Sequence, residues 1–361
     1  MKFRGPSSII PVACAGVAIS LCSAAAAASG EKRVAEDYSH WIKVPGGLYH
    51  PDCVHEVPNG AHIEVNGDVT VAGSVVAHFD ACTHTPILTG RPLQGQGTPA
   101  NGTPCNFYGC GWIEDARMWP ILPAGENISE VESYWTVPPP PSQSGAAVFL
   151  WNGIGTQSFS WIMQPVLAYG SDTVTAPNSE VSTSGEVYGS GGGNYWSIAS
   201  WLVSGPTIYH SQVYRVSPGD KIWGISFQTG QSTEMVFLPT RVISEIVTDY
   251  AVAIVDENTG DLSLLGFSMA NVQWNAAYAG VLEGGGLNSC AQLPPGPGTY
   301  FYDVQIYTGY PTQTYLSSNW IGDVDNFPGL YGAPQGIKGG PQCGYKVDID
   351  NANPAAGLVY N

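Results

Sequence analysis

The sequence predicts an all-β protein, an antiparallel sandwich or barrel, on three observations. Glycine and proline are abundant, 45 and 28 of 361 residues, and interrupt the chain at short intervals. Between the interruptions lie short stretches rich in Tyr, Trp, Val and Thr, some alternating apolar with polar residues. Amphipathic helical stretches are scarce, which disfavours a βαβ arrangement.

The chain opens MKFRGPSSIIPVACAGVAISLCSAAAAASG. Lys2 and Arg4 precede an apolar run and an alanine-rich end suited to A-x-A cleavage. Residues 1–28 therefore read as a secretory signal, cut near Ala28. No later stretch is long and apolar enough to span a bilayer as a helix, so the remainder is expected to be exported and soluble. Removing the signal leaves Cys53, Cys82, Cys105, Cys110, Cys290 and Cys343. An even number in an exported chain favours disulfides, and no zinc spacing is present. A local pair Cys105–Cys110, a long-range pair Cys290–Cys343 and the remaining Cys53–Cys82 are expected, although spacing does not fix connectivity. Asn101-Gly-Thr103 and Asn127-Ile-Ser129 are glycosylation acceptors in a glycosylating host.

Acidic residues outnumber basic ones 29 to 12, which sets the chain against nucleic acid and anionic membranes as partners. Charged residues make up only 11% of the total. A sparsely charged acidic chain suits an acidic medium, where protonation relieves its self-repulsion.

Residues 29–125 are irregular and cysteine-bearing: a propeptide, an accessory lobe or an extension of the main fold. From residue 126 the strand stretches become regular: VESYWTV (131–137), AAVFLW (146–151), SFSWIMQ (158–164), YWSIASWLV (195–203), KIWGISFQ (221–228), YAVAIVD (250–256) and DLSLLGF (261–267). The last two flank ENTG, a turn of hairpin length. PPPPSQSG (138–145) and GSGGGN (189–194) separate other strands. Residues 126–290 are thus expected to form the β domain, and 291–361 a C-terminal extension packed on it.

Common catalytic motifs are missing. There is no GxSxG elbow, HExxH or P-loop, and only His210 of the seven histidines lies among the regular strands. Two residues remain. In SFSWIMQ, alternation sets Phe159, Trp161 and Met163 on one face and Ser160, Ile162 and Gln164 on the other. Gln164 is then either a solvated amide or a donor to a developing oxyanion, a role that needs no titration. In VQWNAAYAGVLEGGG (272–286), a strand over 275–283 places Ala277, Ala279, Val281 and Glu283 on one face. Glu283 is either an exposed strand-end glutamate or a partly desolvated carboxyl able to exchange protons in acid.

Taken together and in order, these stretches resemble the eqolisin (glutamic peptidase) family. Trp135-Thr136-Val137-Pro138 resembles its first motif, and Trp151, Gly153 and Ile154 its WVGIDG segment. Ile162-Met163-Gln164 resembles the strand bearing the family glutamine, and Val281-Leu282-Glu283 the one bearing its glutamate. YRVSPGDKIWGISF (214–227) is similar to a further strand pair. The resemblance spans about residues 126–290 and departs from the family at Gly155, Pro165-Val166 and Ser200, where acidic or small polar residues stand in relatives. It implies a concanavalin-like β-sandwich of two bent antiparallel sheets, to which this sequence adds irregular disulfide-bearing extensions at both ends, 29–125 and 291–361, without a placed family counterpart. It also implies a secreted, monomeric, acid-acting endopeptidase cleaving protein or peptide substrates without metal or organic cofactor. Glu283 is then general base and later acid, Gln164 the oxyanion donor and Trp151 a cleft-lining residue. A carbohydrate-binding sandwich, using some of the 11 Trp and 19 Tyr, is the alternative. A two-carboxylate glycosidase would need a second acid such as Glu180 or Glu186.

Overall fold

A computed structural model describes residues 41–88, 111–170, 193–238, 241–285, 287, 289–324 and 343–360, all within one compact unit, Tyr38–Asn361. The signal segment, Asn101, Cys105, Cys110, Glu180 and Glu186 lie outside the described residues.

Among the described residues there are 23 strands and no α-helix. The N-terminal segment supplies β1 (Ile42–Val44), β2 (Gly47–Tyr49), β3 (Val54–Glu56), β4 (Ala61–Ile63), β5 (Asp68–Val71), β6 (Ser74–His78) and β7 (Ile87–Leu88). Then come β8 (Gly111–Met118), β9 (Ile128–Thr136), β10 (Ala147–Gly155), β11 (Trp161–Tyr169), β12 (Trp196–Ser204), β13 (Thr207–His210) and β14 (Tyr214–Val216). The long strands β15 (Lys221–Leu238) and β16 (Arg241–Asp256) precede β17 (Leu262–Ala270) and β18 (Ala276–Gly285). The C-terminal strands are β19 (Thr299–Thr308), β20 (Thr314–Tyr315), β21 (Ile321–Val324), β22 (Lys346–Asp350) and β23 (Ala355–Val359).

They form two large sheets. The front sheet runs β21-β8-β18-β10-β11-β12-β13-β3, with β14 beside β12. The back sheet runs β22-β23-β19-β9-β15-β16-β17-β4-β5-β6, with β20 beside β19. Pairing is antiparallel except where β3 joins β13 and β4 joins β17 in parallel. One short N-terminal stretch is therefore fastened to both sheets. Strands on either side of residues 126–290 also belong to them: β8 pairs with β18, and β19 with β9.

Between the sheets, Val148, Leu150 and Ile154 of β10, Met163 and Leu167 of β11 and Leu282 of β18 meet Val131, Trp135, Ile222, Val252 and Ile254. Asn152 ties the layers by donating to the Gly224 carbonyl at 2.9 Å. Gly224 has no room for a side chain, because a Cβ there would lie 2.5 Å from Trp135. The front sheet buries its other face as well, under a cluster that includes Val44, Tyr49, Trp112, Phe149, Trp151, Ile162, Val166, Trp201, Tyr278 and Val281. Burial on both faces explains why its strands read as near-continuous apolar runs rather than clean alternations.

Two sequence expectations change. Phe159 does not share a face with Met163: it lies in the turn before β11 at φ 58° and packs in the front cluster, whereas Met163 lies between the sheets. Ala277 and Ala279 do not share a face with Val281. A bulge between Tyr278 and Gly280 in the pairing with β8 reverses the alternation, so the alanines face the inter-sheet core and Val281 the front cluster. Disulfides join Cys53 to Cys82 and Cys290 to Cys343, as expected.

Candidate active site

The front face carries all three residues singled out by the sequence. Gln164 lies between Ile162 and Val166 on β11, opposite Trp201 of β12. Its side chain is wholly buried, yet neither amide atom has a hydrogen-bond partner. Burying such a group without partners costs about 1–3 kcal/mol, so the amide is a stored capacity to bind. The Tyr278 hydroxyl and the indole nitrogens of Trp112, Trp151 and Trp201, in the same cluster, are likewise unpartnered. Trp151 meets Trp112 edge-on at 5.2 Å and Tyr278 at 5.5 Å.

Glu283, buried on β18 opposite Phe149 of β10, reaches this face because the bulge resets the alternation. Both its carboxylate oxygens accept from the Gly46 amide at 3.1 Å. Gly46 sits at the turn of the hairpin β1–β2, at φ 96°. The hairpin crosses the face from β18 to the β12–β13 turn. At one end a Cβ on Gly285 would lie 2.9 Å from the Lys43 side chain. At the other the Tyr49 hydroxyl donates to the Gly205 carbonyl at 3.3 Å. Burial first, and the Glu283 charge second, push the Tyr49 phenol far up, so it stays a neutral donor.

Gln164 and Glu283 are not hydrogen-bonded to each other, since the amide has no partner. Phe149 is flanked by Glu283 on β18 and Ala168 on β11, so Gln164 lies four residues off that level, about 13 Å along the strand. Sheet curvature offsets part of this separation. Val203 of β12 is three strands from Glu283 and six residues off its level, about 24 Å in a flat sheet. Gly46 nonetheless touches both: a Cβ added to it would lie 2.7 Å from Val203 Cγ2. Covalent geometry then holds the Glu283 carboxylate within roughly 8 Å of the Val203 methyl. Ile162, the register partner of Val203, is two residues from Gln164. The front sheet therefore curves into a trough, and Gln164 and Glu283 both lie on its inner face.

Two of the positions where the chain departs from the eqolisin pattern, Gly155 and Ser200, have structural explanations. Side-chain space at Gly155 is taken by the Tyr278 ring, 3.1 Å from an ideal Cβ. Ser200 turns away from the trough, bonding its hydroxyl to the Ser263 carbonyl at 2.8 Å. His210 stacks on Trp201 at 4.5 Å, and burial lowers it to about 4, so it is neutral at moderate pH. Elsewhere, His62 Nε2 lies 2.7 Å from Ser268 Oγ, which donates to Asp249 at 2.6 Å beside a cavity of about 650 Å³. The carboxylate there holds the serine rather than the imidazole, which is not the order that activates a serine nucleophile.

Eight of the 11 tryptophans are buried, which removes most platforms a sugar would need. An exception is a half-exposed row on the back sheet, where Tyr134 stacks on Trp223 at 6.3 Å and on Tyr302 at 5.9 Å. Sequence reasoning missed Gly46, Tyr278, Trp112 and Trp201. VPGGLY (44–49) was legible as a turn, but nothing local says that the turn docks on a carboxylate 237 residues away.

The fold and site define a class: an all-β sandwich presenting a buried amide and a buried carboxylate on one concave face. Among solved structures the chain is similar to scytalido-glutamic peptidase with a transition-state analog inhibitor. That match has 14% identity and a TM-score of 0.40, covering 69% of this chain and 98% of that one. It is also similar to SCP-B, a member of the eqolisin family in complex with the tripeptide Ala-Ile-His, at 13% identity, TM-score 0.35, and 70% and 100% coverage. No family model and no curated protein match the sequence.

Proposed function

We propose that this chain is an exported, acid-acting endopeptidase that hydrolyses peptide bonds by activating water between Glu283 and Gln164. The observation that carries the reading is a fully buried glutamine with both amide atoms unpartnered, on the same concave face as a buried glutamate. Glu283 takes a proton from water as the oxygen attacks the scissile carbonyl carbon. Gln164 Nε2–H donates to the oxyanion of the tetrahedral intermediate, and an uncharged donor serves equally well in acid. Glu283 then returns the proton to the leaving nitrogen, the C–N bond breaks, and a carboxylic acid and an amine depart. Trp151 lines the trough. The leader and the acidic composition support export and action at low pH. In the arrangement described, Gly46 occupies Glu283, so the hairpin within 29–125 must move aside or be removed before a substrate enters.

The test is cleavage of a denatured protein at low pH in the presence of pepstatin, comparing wild type with Glu283→Gln. Loss of cleavage in the variant is expected; undiminished cleavage rules out the mechanism. A carbohydrate-binding reading draws on the row Trp223, Tyr134 and Tyr302. Retention on a polysaccharide column, without peptide cleavage by the wild type, favours it instead.

A further inference from the structure

The exit of the hairpin carries a second concentration of chemistry. His50 directly follows β2 and Asp52 lies two residues on, while His84 comes from a separate segment. The Cys53–Cys82 disulfide brings the segments together, one residue after Asp52 and two before His84. The imidazoles lie face to face, centroids 3.8 Å apart, and Trp41 packs edge-on against both at 5.9 and 6.3 Å. One donor atom from each of His50, Asp52 and His84 falls within 4.8 Å of the other two.

We propose that His50, Asp52 and His84 form a binding site for a divalent transition-metal ion. Two imidazole nitrogens and one carboxylate oxygen suit Zn²⁺, Co²⁺ or Cu²⁺ and not the all-oxygen shells of Ca²⁺ or Mg²⁺. With bonds of about 2.0–2.2 Å, ligand atoms around a tetrahedral ion sit nearer than the present spacing, so the group must close slightly. Face-to-face rings also direct their lone pairs in parallel. Ligation therefore requires the imidazoles to turn about Cβ–Cγ, a soft torsion, and both rings are only half-buried. His50 Nδ1 now accepts from the Asp52 amide at 3.2 Å. Ligation through Nδ1 replaces that bond, and Asp52 Oδ2 already lies 3.6 Å from Nδ1, close to the spacing of two ligands around one tetrahedral ion. The Asp52 side chain is exposed and has room to swing.

The site has a consequence that rests on the proposed function. His50 is four residues from Gly46, and β2 also pairs with β7, which follows His84. A metal joining His50 to His84 clamps both strands beside the hairpin that covers Glu283, and holds the trough shut.

Binding is tested by titrating the full-length wild type with Zn²⁺ by calorimetry and with Co²⁺ by visible absorption. One equivalent bound, with a low-coordinate Co²⁺ spectrum, is expected; it disappears in His50→Ala/His84→Ala. No binding by the wild type, or equal binding by the double variant, overturns the site. Should the double variant fail to fold, nitrogen hyperfine splitting from two imidazoles in the Cu²⁺ electron paramagnetic resonance spectrum of the wild type decides: its presence upholds the site, its absence overturns it. The clamp is read separately, as Zn²⁺-dependent slowing of amide exchange over residues 42–49. Unchanged exchange with metal bound refutes the clamp and leaves the site standing. Neither readout needs catalysis, so both are distinguishable from failure of the peptidase reading.

Discussion

Gly46→Ala puts the covering hairpin to its most direct test. Gly46 has φ 96°, where an L-residue pays about 1–2 kcal/mol for the left-handed backbone. The new methyl would also stand 2.7 Å from Val203 Cγ2, well inside the 3.5–4.0 Å of an ordinary carbon contact. Overpacking of that kind costs about 1–3 kcal/mol. Together about 2–5 kcal/mol is set against the docked hairpin, and each 1.4 kcal/mol is tenfold in an equilibrium. The hairpin should open roughly 30- to 4,000-fold more often in the variant. Hydrogen exchange of the amides in 42–49 of the full-length protein measures this, and proteolysis by the unprocessed chain should rise with it. Adding Val203→Ala removes the clash but not the backbone strain, so exchange should return only partway. Exchange in Gly46→Ala within twofold of wild type would show that Gly46 is not wedged between Glu283 and Val203.

Two further outcomes follow from buried groups. Gln164→Leu removes an amide that has no partner, so the variant should be more stable by about 1 kcal/mol in urea unfolding while hydrolysis falls roughly 100-fold. A destabilised variant would mean that the amide is structurally satisfied. Burial raises Glu114 from 4.5 to about 9, so its contribution is complete below pH 4.5 and is lost as pH rises toward 9. Burial lowers His210 from 6.5 to about 4, so its contribution is complete above pH 6.5 and is lost as pH falls toward 4. Between pH 4.5 and 6.5 the two slopes cancel; above that range stability should fall by about 1.4 kcal/mol per pH unit until near 9. Glu114→Gln should flatten the alkaline decline in urea unfolding, and an unchanged slope assigns it to another group.

The strands were legible where one chain segment decides its own conformation. VESYWTV, YWSIASWLV and DLSLLGF fall within or around β9, β12 and β17, because β-branched and aromatic residues between turn formers suit a pleated, buried surface. The ends of β15 and β16 were missed. Beyond Gln228 the long hairpin carries exposed Gln231, Ser232 and Thr233, which give no apolar signal. Face assignments failed wherever a bulge or a positive φ broke the two-residue period, as at Ala279-Gly280 and Phe159. Gln164 and Glu283 were identifiable as residue types, but the alanine-lined face expected for Glu283 is not the one it occupies. What surrounds them was not.

The amino-acid sequence by itself determined the strand-rich character, the turn positions, the acidic balance and which side chains are chemically able to move a proton or bind an oxyanion. These depend on steric preference and side-chain chemistry, both local. Only the tertiary structure decided that residues 164 and 283 face one trough, that Gly46 seals the carboxylate, and that His50 meets His84. Those relations arise from strand order, register shifts and sheet curvature. Contacts across hundreds of residues set them, and no stretch of a strand's length encodes them alone.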